Sequence, residues 1–472
     1  MKIKITDFGP IKDFEVDLSK DLIFIYGKNN IGKSYAMSVI YLILKNLLEK
    51  IPDILFLKLK SLNEKIIEMI QENINNHKIL KEKFNDLLRI LIESIFLEKF
   101  KHSLLNTFND LNNISNRFSK NAFNINLNFD FINFDISFLD KSLIIKNVSL
   151  NYDFTIKKVK VHRNYKIDEK NKKIILYFID MNDDFKNIDA LFKVILFYIY
   201  VEIKKVIRDV YFLPASRSGL YQGLNAFSQI IAELSKNRSY VTKKIELPAI
   251  SEPVADYFLK LSEINATKKT NKKIAVISSM LEKDLLKGEV SFDSSTKKIL
   301  YKPDFSDIVL NMEATSSMVA EISPIVLYLK HVISLDIINN NILGDDFVDE
   351  PTKEKFKNSK PLIFIEEPEA HLHPEAQAKL IEMFAKLAEN GVKLMITSHS
   401  NYMFNKLNNL ILDKKIDKNR IGCYVLKLTD SGSVAHELKI DEFGVDDQNF
   451  SEIAEELYNE NLELLNKFNK ND

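Results

Sequence analysis

Residues Gly27-Lys28-Asn29-Asn30-Ile31-Gly32-Lys33-Ser34 read G-x-x-x-x-G-K-S directly after the apolar run Leu22–Tyr26. That pattern is a phosphate loop only where a strand precedes it and a helix follows. Both are written here. From Lys33 to Lys50 the apolar residues Met37, Ile40, Tyr41, Ile43 and Leu44 share one helical face. The two glycines let backbone N–H groups converge on a phosphate with no Cβ in the way. Lys33 is placed for the β- and γ-phosphates, and the Ser34 hydroxyl for Mg²⁺. The positive end of the helix points at the same anion. The competing reading is a chance match in a strand–turn–helix unit. With only 11 Gly in 472 residues, two at this spacing are informative.

A second apolar run, Pro361–Ile365, ends in Glu366-Glu367-Pro368-Glu369. Successive side chains of a strand point to opposite sides, so adjacent acids at its end can divide two tasks. Phosphoryl transfer to water needs one acid at Mg²⁺ and one at the nucleophile. Glu366 is assigned to Mg²⁺ and Glu367 to the attacking water. A surface acidic turn after a core strand is the bland alternative. His371 and His373 follow in an H-x-H spacing, too few ligands for a metal site without others nearby. A third apolar strand, Val392–Thr397, ends in Ser398-His399-Ser400. His399 repeats the strand-end placement of the acids and can sense a γ-phosphate.

Between these halves, Thr315-Ser316-Ser317 opens a helix with apolar residues at Ile322, Ile325, Val326 and Leu329. Ser316 and Ser317 serve either as its cap or as a phosphate site for another subunit. Pro324 is expected to kink or restart that helix.

Composition sets the outer limits. Lys+Arg and Asp+Glu balance at 66 each, so no global positive charge advertises nucleic acid, although a local patch stays open. The lone Cys423 excludes a disulfide framework and a C-x-x-C zinc site. The chain starts in strand-like alternation, and its longest apolar run, Val194–Val201, is far too short for a membrane span. A cytoplasmic protein with no membrane partner is expected.

Strands are predicted at Lys2–Ile5, Phe14–Leu18 and Leu22–Tyr26, and Pro52 is expected to end the first helix. Residues 53–118 carry a helical stripe. Asn124–Phe138 alternates like a strand, with a slip of phase at Phe131-Ile132. Further strands are expected at Asn147–Leu150, Ile156–Val161, Ile174–Ile179 and Val210–Leu213. Helices are expected at 187–207, 225–236, 252–264 and Ser451–Phe468. The division is a discontinuous head over 1–50 and 121–472, a helical insertion over 51–120, and a helical tail over 437–472.

Taken together these pieces resemble the ABC-type ATPase heads of the RecF/SMC/OLD group. The order matches: P-loop, signature-like helix, strand-Glu-Glu-Pro-Glu-x-His-Leu-His-Pro, then Thr-Ser-His-Ser. The opening Ile5–Lys12 and the form Gly27-Lys28-Asn29-Asn30 are also typical of that group. The resemblance implies an α/β fold: an ABC-type head with a β-rich N-terminal lobe and an inserted helical arm. It implies ATP and Mg²⁺ as ligands, with Gly27, Asn29, Asn30, Gly32, Lys33 and Ser34 at the nucleotide. It implies a Walker B at Ile363–Glu367, a D-loop at Ala370–Pro374 and a switch histidine at His399. A signature at Ser316–Glu321 would act in trans across a head-to-tail dimer or higher homo-oligomer. Pro214-Ala215-Ser216-Arg217 looks like the Pro-x-x-Arg strand end of OLD-like ATPases, so Arg217 is either near the phosphates or in a structural ion pair.

The chain departs from the group's pattern in three ways. The signature lacks paired glycines. No Q-loop stands out, Gln222 and Gln229 being the candidates. The tail after His399 is too short for the Toprim nuclease domain of OLD nucleases and lacks its acids. The implied function is a nucleotide-gated dimeric ATPase that regulates a separate effector protein, as in ATPase subunits of bacterial anti-phage systems. The alternative is a RecF-like DNA-binding repair ATPase.

Overall fold

A computed structural model describes residues 1–54, 77–119, 121–139, 142–159, 165–178, 185–223, 250–264, 272–333, 356, 358–447 and 450–468. The chain opens with β1 (Lys2–Phe8), β2 (Ile11–Asp17) and β3 (Leu22–Gly27), then α1 (Lys33–Ile54). Helices α2 (His77–Ile92) and α3 (Glu98–Phe108) precede β4 (Asn124–Asn128), β5 (Ile132–Leu139) and β6 (Ser142–Leu150). The small sheet β7 (Asp153–Lys158), β8 (Tyr165–Asp168) and β9 (Lys173–Phe178) leads to α4 (Phe185–Val206) and β10 (Ile207–Leu213). Next come α5 (Glu252–Ser262), α6 (Lys272–Met280), a second small sheet of β11 (Gly288–Asp293), β12 (Lys298–Pro303) and β13 (Leu310–Asn311), and α7 (Ser317–Leu327). The chain closes with β14 (Lys360–Glu366), α8 (Pro374–Glu389), β15 (Lys393–Ser398), α9 (Asn401–Leu412), β16 (Ile421–Thr429), β17 (Gly432–Glu437) and α10 (Ser451–Phe468).

Eleven strands form one sheet in the order β10-β14-β15-β3-β16-β17-β2-β1-β4-β5-β6. The half from β10 to β16 is parallel. The half from β2 to β6 is antiparallel. Every residue of β3 and β15 is buried, because helices cover both faces of the parallel half. Alternation then divides the core. Ile23 and Ile25 of β3, with Leu362 and Phe364 of β14, pack on the α1 side. Leu22, Phe24 and Tyr26, with Ile363 and Ile365, pack against α7, α8 and α9. A fully buried side chain of this size contributes on the order of 2 kcal/mol, so the three central strands are pinned from both sides.

The expected α/β class is the class observed, built on a large central sheet. Three local expectations need correction. Helix α1 runs through Pro52 to Ile54; the proline costs it one hydrogen bond without ending it. The alternating stretch Asn124–Phe138 is a hairpin, β4 and β5 paired antiparallel from Asn124↔Ser137 to Asn128↔Asn133. The slip of phase at Phe131-Ile132 marks its turn, where Phe129 N–H donates to Ile132 O. Pro324 lies inside α7 and does not restart it; the helix widens into a π-turn at Tyr328–Val332. The expected helix at 225–236, the candidate Gln229, and residues 160–161 and 179 of two expected strands lie outside the described residues. Among the described residues of 51–120 most are helical, in α2, α3 and the turn between them. No helix among the described residues is long and apolar enough to cross a membrane.

Candidate functional site: a phosphate loop beside paired acids

The parallel half places three strand ends side by side. Ser398 of β15 is opposite Tyr26 of β3, and Glu366 of β14 is opposite Thr397 of β15. The loop after β3, the acids after β14 and the histidine after β15 therefore open on one edge. Carboxyl ends of parallel strands are where such sheets bind ligands.

The loop requires its glycines. Gly27 has φ +141°, and a Cβ there would meet Leu426 O at 2.8 Å. Gly32 has φ +103°, and a Cβ there would meet Pro10 Cγ at 2.8 Å, in the turn between β1 and β2. Asn30 adopts φ +61°, while Asn29 and Asn30 are both exposed. Lys33 is buried under the loop, and its Nζ donates to Gly27 O at 3.0 Å and Lys28 O at 2.7 Å. Burial lowers the ammonium to about 8, opposed by the charges of Glu367 and Glu369.

Ser34 is exposed, and its hydroxyl stands beside the Glu366 carboxylate and favours its charged form. Glu366 Oε2 also accepts from Ala215 N–H at 3.3 Å. Burial raises the Glu366 carboxyl, with Ser34 and Ala215 working against it. Glu367 sits at φ +41°, held there by its N–H donating to Thr397 O at 3.1 Å. Its Oε1 is 3.4 Å from His399 Nε2, and the histidine holds that carboxyl below the usual range. The two acids thus differ in environment: Glu366 faces the loop serine, Glu367 faces the histidine.

Glu369 is a residue that the strand-end reading left without a role. Its buried Oε1 accepts from Ser398 Oγ at 2.9 Å and from the His399 N–H. It fixes the backbone that presents His399. The signal was in the sequence, since its acidic run continues to Glu369. The purpose was not, because Glu369 and Ser398 are 29 residues apart.

The other candidates have partners of their own or stand exposed. Arg217 is fully enclosed, and it takes the ion-pair alternative. Its Nη1 donates to Pro214 O at 3.1 Å and Glu366 O at 2.9 Å, its Nε donates to Glu321 O at 3.1 Å, and its Nη2 is 3.3 Å from Glu321 Oε2. Ser316 caps α7, its Oγ accepting from Val319 N–H at 3.4 Å, and both Ser316 and Ser317 are exposed. Gln222 is exposed after β10. His373 caps α8 by accepting from Glu375 N–H at 3.3 Å, and His371 is exposed. No group of three or more His, Cys, Asp and Glu is placed to hold a metal among the described residues.

The residues present fit the ligands they imply. The tight path of the loop needs both glycines, since a Cβ at either would strike the protein packed behind it. Ser34 and Glu366 offer hard oxygen donors side by side, the set Mg²⁺ prefers when phosphate oxygens and water complete its shell.

A phosphate loop, two acids and a histidine gathered on one sheet edge define a P-loop ATPase domain. The chain belongs to the AAA ATPase domain family, whose model matches residues 1–404. No curated protein matches the chain. Solved structures similar to it include an SMC head bound to the C-terminal winged-helix domain of ScpA, 11% identical over 93% of this chain and 98% of that one, with TM-score 0.38. Another is the SMC head domain from Thermotoga maritima, 9% identical over 93% and 98%, with TM-score 0.36. A third is the Pyrococcus furiosus SMC head with an extended coiled coil bound to the C-terminal domain of ScpA, 12% identical over 93% and 96%, with TM-score 0.37.

Proposed function

We propose that the protein binds ATP with Mg²⁺, hydrolyses it, and works as a nucleotide-gated dimer that controls a separate effector protein. The observation that carries the reading is the convergence of Ser34, Glu366, Glu367 and His399 beside the glycine loop. In it the loop and Lys33 hold the phosphates, and Ser34 with Glu366 hold Mg²⁺, which would neutralise charge on the transferring group. Glu367 orients the attacking water and accepts its proton. His399, steadied by Glu369, donates a hydrogen bond toward the γ-phosphate.

The dimer follows from what one chain leaves open. A phosphate loop cradles its ligand from one side. The exposed N-terminus of α7, at Ser316 and Ser317, offers N–H donors and a positive dipole end. A second copy can bring it over the γ-phosphate, so closure is linked to ATP over ADP. The effector follows from resemblance to defence ATPase subunits; balanced charge gives the DNA-binding alternative no support of its own.

Light scattering of Glu367→Gln with ATP, with ADP and without nucleotide tests the gating. A dimer that needs ATP is expected, and Ser317→Arg is expected to block it by bulk. A monomer in all three states overturns the gating. If the protein is a dimer throughout, mixing Lys33→Ala with Ser317→Arg chains decides: turnover at one restored site supports sites shared between chains, and none refutes it.

A further inference from the structure

The largest fully buried side chain is Arg217, and the chemistry above does not use it. It joins three elements. Through Glu366 O it holds the end of β14, where the Mg²⁺ carboxylate begins. Through Pro214 O it holds the end of β10. Through the main chain and carboxylate of Glu321 it holds α7, about one turn past Ser317. Ser218 supports the same pair, its hydroxyl and N–H donating to Glu321 Oε1. Tyr257 donates to Arg217 O at 3.3 Å, and Tyr328, stacked on Tyr257, donates to Tyr257 O at 2.9 Å.

Arg217 Nη2 and Glu321 Oε2 are buried and 3.3 Å apart, yet neither makes an aligned hydrogen bond. A buried ion pair depends on good geometry, so this pair is sensitive to small movements of the elements that carry it. The backbone on either side is strained in the same sense: Ser216 has φ +54° and Glu367 φ +41°. Non-glycine residues hold such angles only where the surroundings impose them.

We infer that Arg217 is a positioning residue that couples a chain's own phosphate site to the N-terminus of its α7, through Glu366 on one side and Glu321 on the other. The inference rests on the dimer reading, in which α7 serves the partner's site. A change at Glu366 when ATP and Mg²⁺ bind shifts Arg217, realigns it with Glu321, and repositions Ser316 and Ser317. Each site then reports its occupancy to the other, and the two hydrolyse in concert.

Hydrogen exchange on the Ser317→Arg chain isolates the link, because that chain cannot close on a partner. Adding ATP and Mg²⁺ is expected to change protection of amides 319–323 and 325–327 by about fivefold or more. In Ser317→Arg with Glu321→Gln the change is lost, while ATP affinity in an equilibrium titration stays within about twofold. If Glu321→Gln lowers the melting temperature enough to obscure this, Ser218→Ala removes one support of Glu321 and leaves no buried charge unpaired; a smaller response than with Ser218 present is expected. An unchanged exchange response in these variants, or none with the pair intact, overturns the coupling. Failure of the dimer reading shows separately, as a monomer by light scattering whatever α7 does.

Discussion

His399 Nε2 lies 3.4 Å from Glu367 Oε1, bringing a histidine at the end of β15 against an acid at the end of β14. The two residues are 32 positions apart in a chain whose parallel strands put their carboxyl ends together. The contact separates the two acids chemically. Glu367 is kept ionised by its histidine, whereas burial pushes Glu366 the other way. A base for water must be ionised, and a carboxylate waiting for a cation can tolerate a raised pKa until the cation arrives.

Glu367→Gln is therefore expected to bind ATP normally and hydrolyse it at least about 100-fold more slowly. Glu366→Gln is expected to lose Mg²⁺-dependent binding. Single-turnover hydrolysis and an equilibrium titration with and without Mg²⁺ check both; the opposite pattern reverses the two roles.

Lys33→Ala is expected to abolish tight nucleotide binding. The wild-type pH dependence carries more information. Free Lys33 titrates at about 8 because it is buried, and a bound polyphosphate raises it again. ATP affinity should be flat below pH 8 and fall above it, approaching about tenfold per pH unit. A flat titration from pH 7 to 9.5 would sink this. Unfolding does not imitate the effect. The buried Lys393, also lowered to about 8 from 10.5, makes the folded state release its proton first. Its contribution to stability therefore increases between those two values as pH rises.

Glu369→Ala removes the acceptor for Ser398 Oγ and the His399 N–H. Turnover should fall while ATP affinity changes little, because the loop after β3 is untouched. Equal losses in both would show that Glu369 supports the phosphate cradle instead.

Gly32→Ala places a Cβ at 2.8 Å from Pro10 Cγ with φ at +103°. The cost should exceed about 1 kcal/mol, because alanine is strained at such a φ even where space exists. The measurements are thermal unfolding and ATP titration; a stable variant with wild-type affinity would mean that the loop has another way to fit.

The phosphate loop, the strand-end acids and His399 were legible because each is local: an apolar run, a turn and a few polar residues read within ten positions. The strand β3 and the helix start at Lys33 were legible for the same reason, since burial on one or both faces imposes a period that a short window contains. Pairing was not. That Asn124–Phe138 folds back on itself depended on a turn at 129–131 with no glycine or proline to mark it. That α1 passes through Pro52 was not legible either, because a proline removes one helical hydrogen bond but does not always end the helix. The fate of Arg217 depended on distance. Its sequence neighbours Pro214 and Ser216 are the same in either alternative, and only the approach of Glu321, 104 residues away, encloses it. Glu369 likewise gains its partner only when β14 and β15 lie side by side. The sequence by itself determined which residues can carry phosphate chemistry, because that chemistry is specified by residue type and local backbone. Tertiary structure alone decided which of them meet, because a buried charge takes its role from partners that the sheet brings to it.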